Sequence, residues 1–161
     1  MLLLLGLLFL LASETSSLAA TNGPCPSGWV DASWVGMGCL LFDTTATYTW
    51  EEASEYCQTT ASASLVEMLN VEQHDFVKME LYILETHEAI GSWWTSGLDL
   101  GREGKWYWSA SLYPVGEFMW EMSQPDGGIT QNYMYISSLC EPAMGNDYIN
   151  TSKKFPLCQK K

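Results

Sequence analysis

Cys25, Cys39, Cys57, Cys140 and Cys158 constrain this chain more than any other residues. All five follow an apolar run from Leu2 to Ala12 that only Gly6 interrupts. Small residues at Ser17-Leu18-Ala19-Ala20 then give the pattern of a cleavable secretory leader. The run is too short to span a bilayer. Residues 1–20 therefore read as a signal peptide. Residues 21–161 read as one secreted domain, since 161 residues are too few for two comfortable ones. In an oxidising compartment the cysteines are expected to be mostly paired. Their number is odd, so at least one has no partner within the chain. It either links two chains or remains a free thiol.

The rest of the chain divides into a helical half and a strand-rich half. Cys39–Phe42 is a strand-like run. Thr49 and Glu52 form a capping-box pattern, which predicts a helix with Trp50, Ala53 and Cys57 on one face. Asn70 caps a second predicted helix that runs to about Leu84 and carries Phe76, Met79, Leu81 and Ile83. Beyond Gly91 short aromatic runs alternate with Gly, Pro, Ser and Asp, at 92–95, 105–109, 133–136 and 155–158. Helices followed by strands indicate an α+β domain. The stretch from Ser111 to Asn132 is too long for a plain hairpin and predicts an ordered functional loop.

Formal net charge is −12, and −11 once Glu14 leaves with the leader (−12 + 1 = −11). An acidic surface excludes nucleic acid and anionic membrane as expected partners and is compatible with cation binding. No nucleophile elbow, phosphate loop or paired-carboxylate pattern is present, and His87-Glu88 lacks the second histidine of a zinc-protease helix. No enzymatic activity is expected. The feature closest to chemistry is Gln124-Pro125-Asp126, with Asn146-Asp147 further along. Amides and carboxylates are hard oxygen ligands, which suits Ca²⁺. X-Pro bonds reach the cis form at modest cost, and a cis bond before Pro125 would aim Gln124 and Asp126 the same way.

Taken in order, these pieces resemble the C-type lectin-like domain over nearly the whole mature chain. Cys25-Pro26-x-Gly28-Trp29 with Cys39 resembles the extra N-terminal hairpin of the family's long form. Thr49-Trp50-x-x-Ala53-x-x-x-Cys57 resembles its first helix. Trp94-Thr95-Ser96-Gly97-Leu98-Asp99 with Trp106-x-Trp108 resembles its central motif, in wording most similar to secreted arthropod members. Phe155-Pro156-Leu157-Cys158 resembles the closing strand. The resemblance implies two helices packed on two small antiparallel sheets, with a long ordered loop region. It also implies disulfides Cys25–Cys39 and Cys57–Cys158. Family members usually carry a further disulfide beside the sugar site. Tyr133 and Asn150 stand at its two expected positions, so that loop is expected to be less restrained. Cys140 is then the odd cysteine, either a homodimer link or a free thiol.

Carried over position by position, the resemblance implies Gln124, Asp126, Gln131, Asn146 and Asp147 as ligands of both Ca²⁺ and sugar. Gln-Pro-Asp reverses the amide and carboxylate of the family's mannose-type Glu-Pro-Asn. Donor and acceptor are thereby exchanged around the sugar, which implies a galactose-type preference. Gln131 stands where the family usually has Glu, so two carboxylates rather than three would face the ion. Ser123 replaces the usual Gly before Gln124, a change that matters where the backbone needs positive φ. Most tryptophans, including those at 29, 50, 94, 106, 108 and 120, are expected in the core. Glu85, Glu88 and Asp99 are expected on solvated surface. Asn150-Thr151-Ser152 is an N-glycosylation sequon. The implied function is Ca²⁺-dependent recognition of galactose-like glycans, including microbial ones. The alternatives are a Ca²⁺-independent protein-binding module and an acidic, mineral-associated matrix component.

Overall fold

The computed structural model describes residues 24–86, 91–101, 103–126, 128–138, 145–149 and 151–161, with backbone only at Ala61, Thr86 and 145–148. The signal peptide, Cys140 and the Asn150 sequon lie outside the described residues, as do His87 and Glu88.

The chain begins with a cross-linked hairpin. β1 (Val30–Asp31) pairs antiparallel with β2 (Cys39–Phe42), and Cys25–Cys39 closes it. The reversal runs through a 3-10 turn at Ser33–Val35. Gly38 has φ +72°, and a Cβ there would sit 2.3 Å from the Lys160 carbonyl oxygen. Only glycine allows both that backbone and that approach.

α1 (Trp50–Ala61) starts where the sequence predicts. Thr49 Oγ1 accepts from the Glu52 amide, and Glu52 Oε2 accepts from the Thr49 amide. Trp50, Ala53 and Cys57 form its buried stripe. Trp50 Nε1 donates to the Thr95 carbonyl at 2.8 Å, which ties the helix to the central strand. Beyond the short β3 (Ser64–Leu65), α2 (Val71–Thr86) is capped by Asn70 Oδ1, which accepts from the Gln73 amide at 2.9 Å. Its inner face is Val77 and Leu81, with Phe76 and Leu84 partly covered. Met79 and Ile83 turn outward and are exposed.

The four predicted strand runs form β4 (Ser92–Leu98), β5 (Tyr107–Trp108), β6 (Tyr133–Ser137) and β8 (Phe155–Lys160), and a further strand, β7 (Gly145–Tyr148), lies between β6 and β8 in the chain. The ladder order is β1-β2-β8-β4-β6-β7, with β3 on β8 and β5 on β4. The two antiparallel groups, β1–β3 with β8 and β4–β7, are joined by a short parallel pairing of β4 with β8. Successive side chains of a strand point to opposite faces. Trp93 accordingly enters one core cluster with Val77 and Leu81 of α2. Trp94 enters the other with Trp50, Ala53 and Cys57 of α1. Burying a tryptophan removes about 200 Å² from water, worth about 5 kcal/mol before entropy costs. Cys57–Cys158 crosses from α1 to β8 inside the second cluster.

The tryptophans at 50, 94, 106 and 108 are buried, while Trp29 and Trp120 are half-buried. Asp99 is a correction, because it is buried rather than at solvated surface. Its Oδ2 accepts from the Gly104 amide at 2.6 Å and closes the turn after β4.

Candidate functional site

The described residues between Ser111 and Asn132 make mostly local backbone bonds. A bridge pairs Pro114 with Tyr107, and 3-10 turns form at Glu117–Met119 and Gly128–Thr130. Between them the Gln124 amide donates to the Glu121 carbonyl at 2.9 Å, and the Gln124–Pro125 bond is cis. Ser123 has φ +76°, the left-handed region in which a side chain costs about 1 kcal/mol. Ser123→Gly is therefore expected to stabilise the domain by about 0.5–1 kcal/mol. Urea denaturation measures this, and an unchanged or lower midpoint would contradict it.

Gln124 is half-buried, Asp126 exposed and Gln131 half-buried. The Gln131 amide donates to Gly128, and the Asn132 carbonyl accepts from the Asp99 amide. The loop thus enters β6 at Tyr133. β7 lies antiparallel beside β6, with Asp147 opposite Met134 and Asn146 opposite Tyr135. The backbones of Asn146 and Asp147 therefore lie on the ribbon into which the loop leads. Their side chains are outside what is described.

Two observations bear on whether this site fits a cation. Gln124 Oε1 is buried with no hydrogen-bond partner among the described residues. A buried amide oxygen left this way costs about 1–3 kcal/mol, which an oxygen-seeking ion would relieve. The candidate set is also three amides and two carboxylates, a donor set of hard oxygens suited to Ca²⁺. Among the described residues no three His, Cys, Asp or Glu side chains gather into a metal cluster. An amide-rich set does not depend on such a cluster.

Tyr133, at the position of the missing cysteine, is buried. Its hydroxyl donates to Glu51 Oε1 at 2.8 Å, and its ring lies 5.2 Å from that of Trp50. A hydrogen bond and an aromatic contact to α1 thus hold the end of the loop without that disulfide. Lys154 lies 4.0 Å above the Tyr135 ring, and burial pushes its amine down from its usual range. Two apolar residues that no sequence motif marks, Met122 and Ile129, are 89% and 80% exposed on either side of Gln124 and Asp126. An open groove of about 930 Å³ beside Gln124 and Pro125 is lined by Trp106, Tyr107, Leu112 and Trp120.

The family model of the Lectin C-type domain matches residues 46–153. The chain belongs to the C-type lectin domain family. This is a carbohydrate- and protein-binding fold without enzymatic activity. Solved structures agree with the fold. The C-type lectin domain of murine dendritic cell inhibitory receptor 2, in complex with N-glycan, is 21% identical with TM-score 0.71, over 85% of this chain and 98% of that one. Human lithostathine is 23% identical with TM-score 0.71, over 85% and 90%. A Ca²⁺-dependent type II antifreeze protein in its Ca²⁺-free form is 25% identical with TM-score 0.69, over 85% and 100%. A comparison with curated proteins finds no match. The described residues contain no helix long and apolar enough to cross a membrane.

Proposed function

We propose that this C-type lectin domain binds terminal galactose-type sugars through Ca²⁺. The observation that carries the reading is Gln124 Oε1, a buried acceptor with no hydrogen-bond partner among the described residues, in a loop that also offers the Asp126 carboxylate. Gln124, Asp126, Gln131, Asn146 and Asp147 would hold the ion. Bound there, Ca²⁺ supplies coordination positions for two vicinal sugar hydroxyls. The Gln124 amide then donates to one hydroxyl while the Asp126 carboxylate accepts from the other, and this order favours the galactose arrangement. With two carboxylates the site should hold Ca²⁺ at roughly 10⁻⁴–10⁻³ M, as extracellular modules do.

The two disulfides suit an oxidising compartment and support secretion, with residues 1–20 as leader. Shallow sugar sites need clustering for useful avidity on a microbial surface, and Cys140 offers a covalent dimer. Non-reducing electrophoresis tests that link.

Immobilised galactose is expected to retain the protein in millimolar Ca²⁺ and release it with chelator, and free galactose should compete better than mannose. Retention that ignores chelator would favour the second reading, Ca²⁺-independent binding of protein. The exposed Met122 and Ile129 support that alternative.

A further inference from the structure

A second surface lies away from the sugar loop. Residues three or four apart share a helix face, which aligns Glu72, Asp75, Phe76, Met79, Glu80 and Ile83 along α2. The hairpin turn sets Trp34 against this stripe. Trp34 is 75% exposed, and its ring meets that of Phe76 edge-on, with centroids 5.4 Å apart. Trp34, Val35, Phe76 and Met79 floor an open groove of about 870 Å³, and Glu72, Asp75 and Glu80 line it too. Lys78 reaches Asp75 at 3.8 Å, while Glu72 and Glu80 have no ion pair among the described residues. Burial also raises the Glu80 carboxyl above its usual range.

Asp75 also has His74 Nδ1 at 3.7 Å, so the groove joins an aromatic–aliphatic floor to two carboxylates, Glu72 and Glu80, that have no ion pair among the described residues. The chain itself fills it poorly. Residues 1–23 contain no Lys or Arg. A second copy would bring the same three carboxylates and a strongly negative net charge, so charge opposes self-association there. Nucleic acid is repelled for the same reason.

We infer that the groove between the Ser33–Val35 turn and α2 binds a partner protein's extended segment in which Lys or Arg flanks a bulky apolar residue. The spacing agrees with this. Glu72 and Glu80 lie about 12 Å apart along the helix, which extended chain spans in about four residues. Basic residues four apart would reach the two carboxylates. The apolar residue midway, on the same side of the strand, would meet Trp34 and Met79.

The probe is a fluorescent Gly-Lys-Ser-Leu-Ser-Lys-Gly peptide, with Leu-to-Ser and Lys-to-Glu versions as controls, followed by anisotropy. The parent peptide is expected to bind and both controls to fail. Trp34→Ala should weaken binding at least about tenfold, as loss of an aromatic anchor does. Glu80→Gln should weaken it about threefold at low salt, and salt should weaken the wild type. Should Trp34→Ala fold poorly by thermal unfolding, the Glu72→Gln/Glu80→Gln pair decides instead, with a larger loss than Glu80→Gln alone. No binding up to millimolar protein, equal binding of the Leu-to-Ser control, or no loss in the variants would overturn the inference. So would a dimer in sedimentation that Trp34→Ala abolishes, because that assigns the groove to a second copy. None of these outcomes depends on sugar or Ca²⁺.

Discussion

Replacing Cys57 and Cys158 together by alanine is expected to remove about 4–5 kcal/mol of stability, the chain-entropy value for a loop of this length. The bond closes 101 residues of sequence. Without it the unfolded chain regains the freedom that the crosslink removes. The folded state has little to offset that loss, because both sulfurs sit fully buried between α1 and β8. β8 pairs with β2, β3 and β4, so loosening it disturbs both antiparallel groups at once. The Cys25–Cys39 bond spans only 14 residues and ties a peripheral hairpin. Its removal should cost about 3 kcal/mol on the same reasoning. Domains of this kind have about 5–15 kcal/mol in total, so the first variant should melt far earlier or fail to fold. Urea denaturation of the two double-alanine proteins measures the difference. Equal losses, or a loss under about 1 kcal/mol from the Cys57–Cys158 pair, would contradict the role given to that crosslink.

What could be read from the sequence was what local chemistry decides. The Thr49–Glu52 capping box and the Trp50–Ala53–Cys57 stripe involve neighbours one helical turn apart, and both appear as predicted. Four short aromatic runs became strands because their composition suits a pleated, half-buried surface. Non-local pairing was not legible. Nothing in Phe155–Cys158 announces a parallel partner at Trp93 and Trp94. Asp99 looked like a surface acid, since its partner amide at Gly104 belongs to a turn that exists only in the fold. Which apolar residues of α2 face inward was not legible either: Val77 and Leu81 are buried, while Met79 and Ile83 are exposed. At the site, Ser123 and the cis bond before Pro125 were legible as questions about backbone, and the fold answers both. The groove beside Gln124 was not, because its walls come from the turn before β5 and from β5 as well as from the long loop.

The second large effect concerns the ion. Asp126 contributes one of the two carboxylates proposed to face Ca²⁺, and it is exposed, so its removal should leave the fold intact. Losing half of the formal negative charge of a site should weaken Ca²⁺ binding at least about tenfold, which takes a millimolar site out of useful range. Galactose binding should disappear with it, while thermal unfolding without Ca²⁺ should match the wild type. Asp126→Asn keeps an oxygen ligand without the charge and should fall between the two.

Calorimetric titration of Ca²⁺ into the wild type and Asp126→Ala tests the central claim most directly. The wild type should bind one ion at roughly 10⁻⁴–10⁻³ M, and Asp126→Ala should show no heat of binding in that range. Equal binding by both proteins, or binding by neither, would show that the loop around Pro125 and the β6–β7 ribbon do not hold the ion.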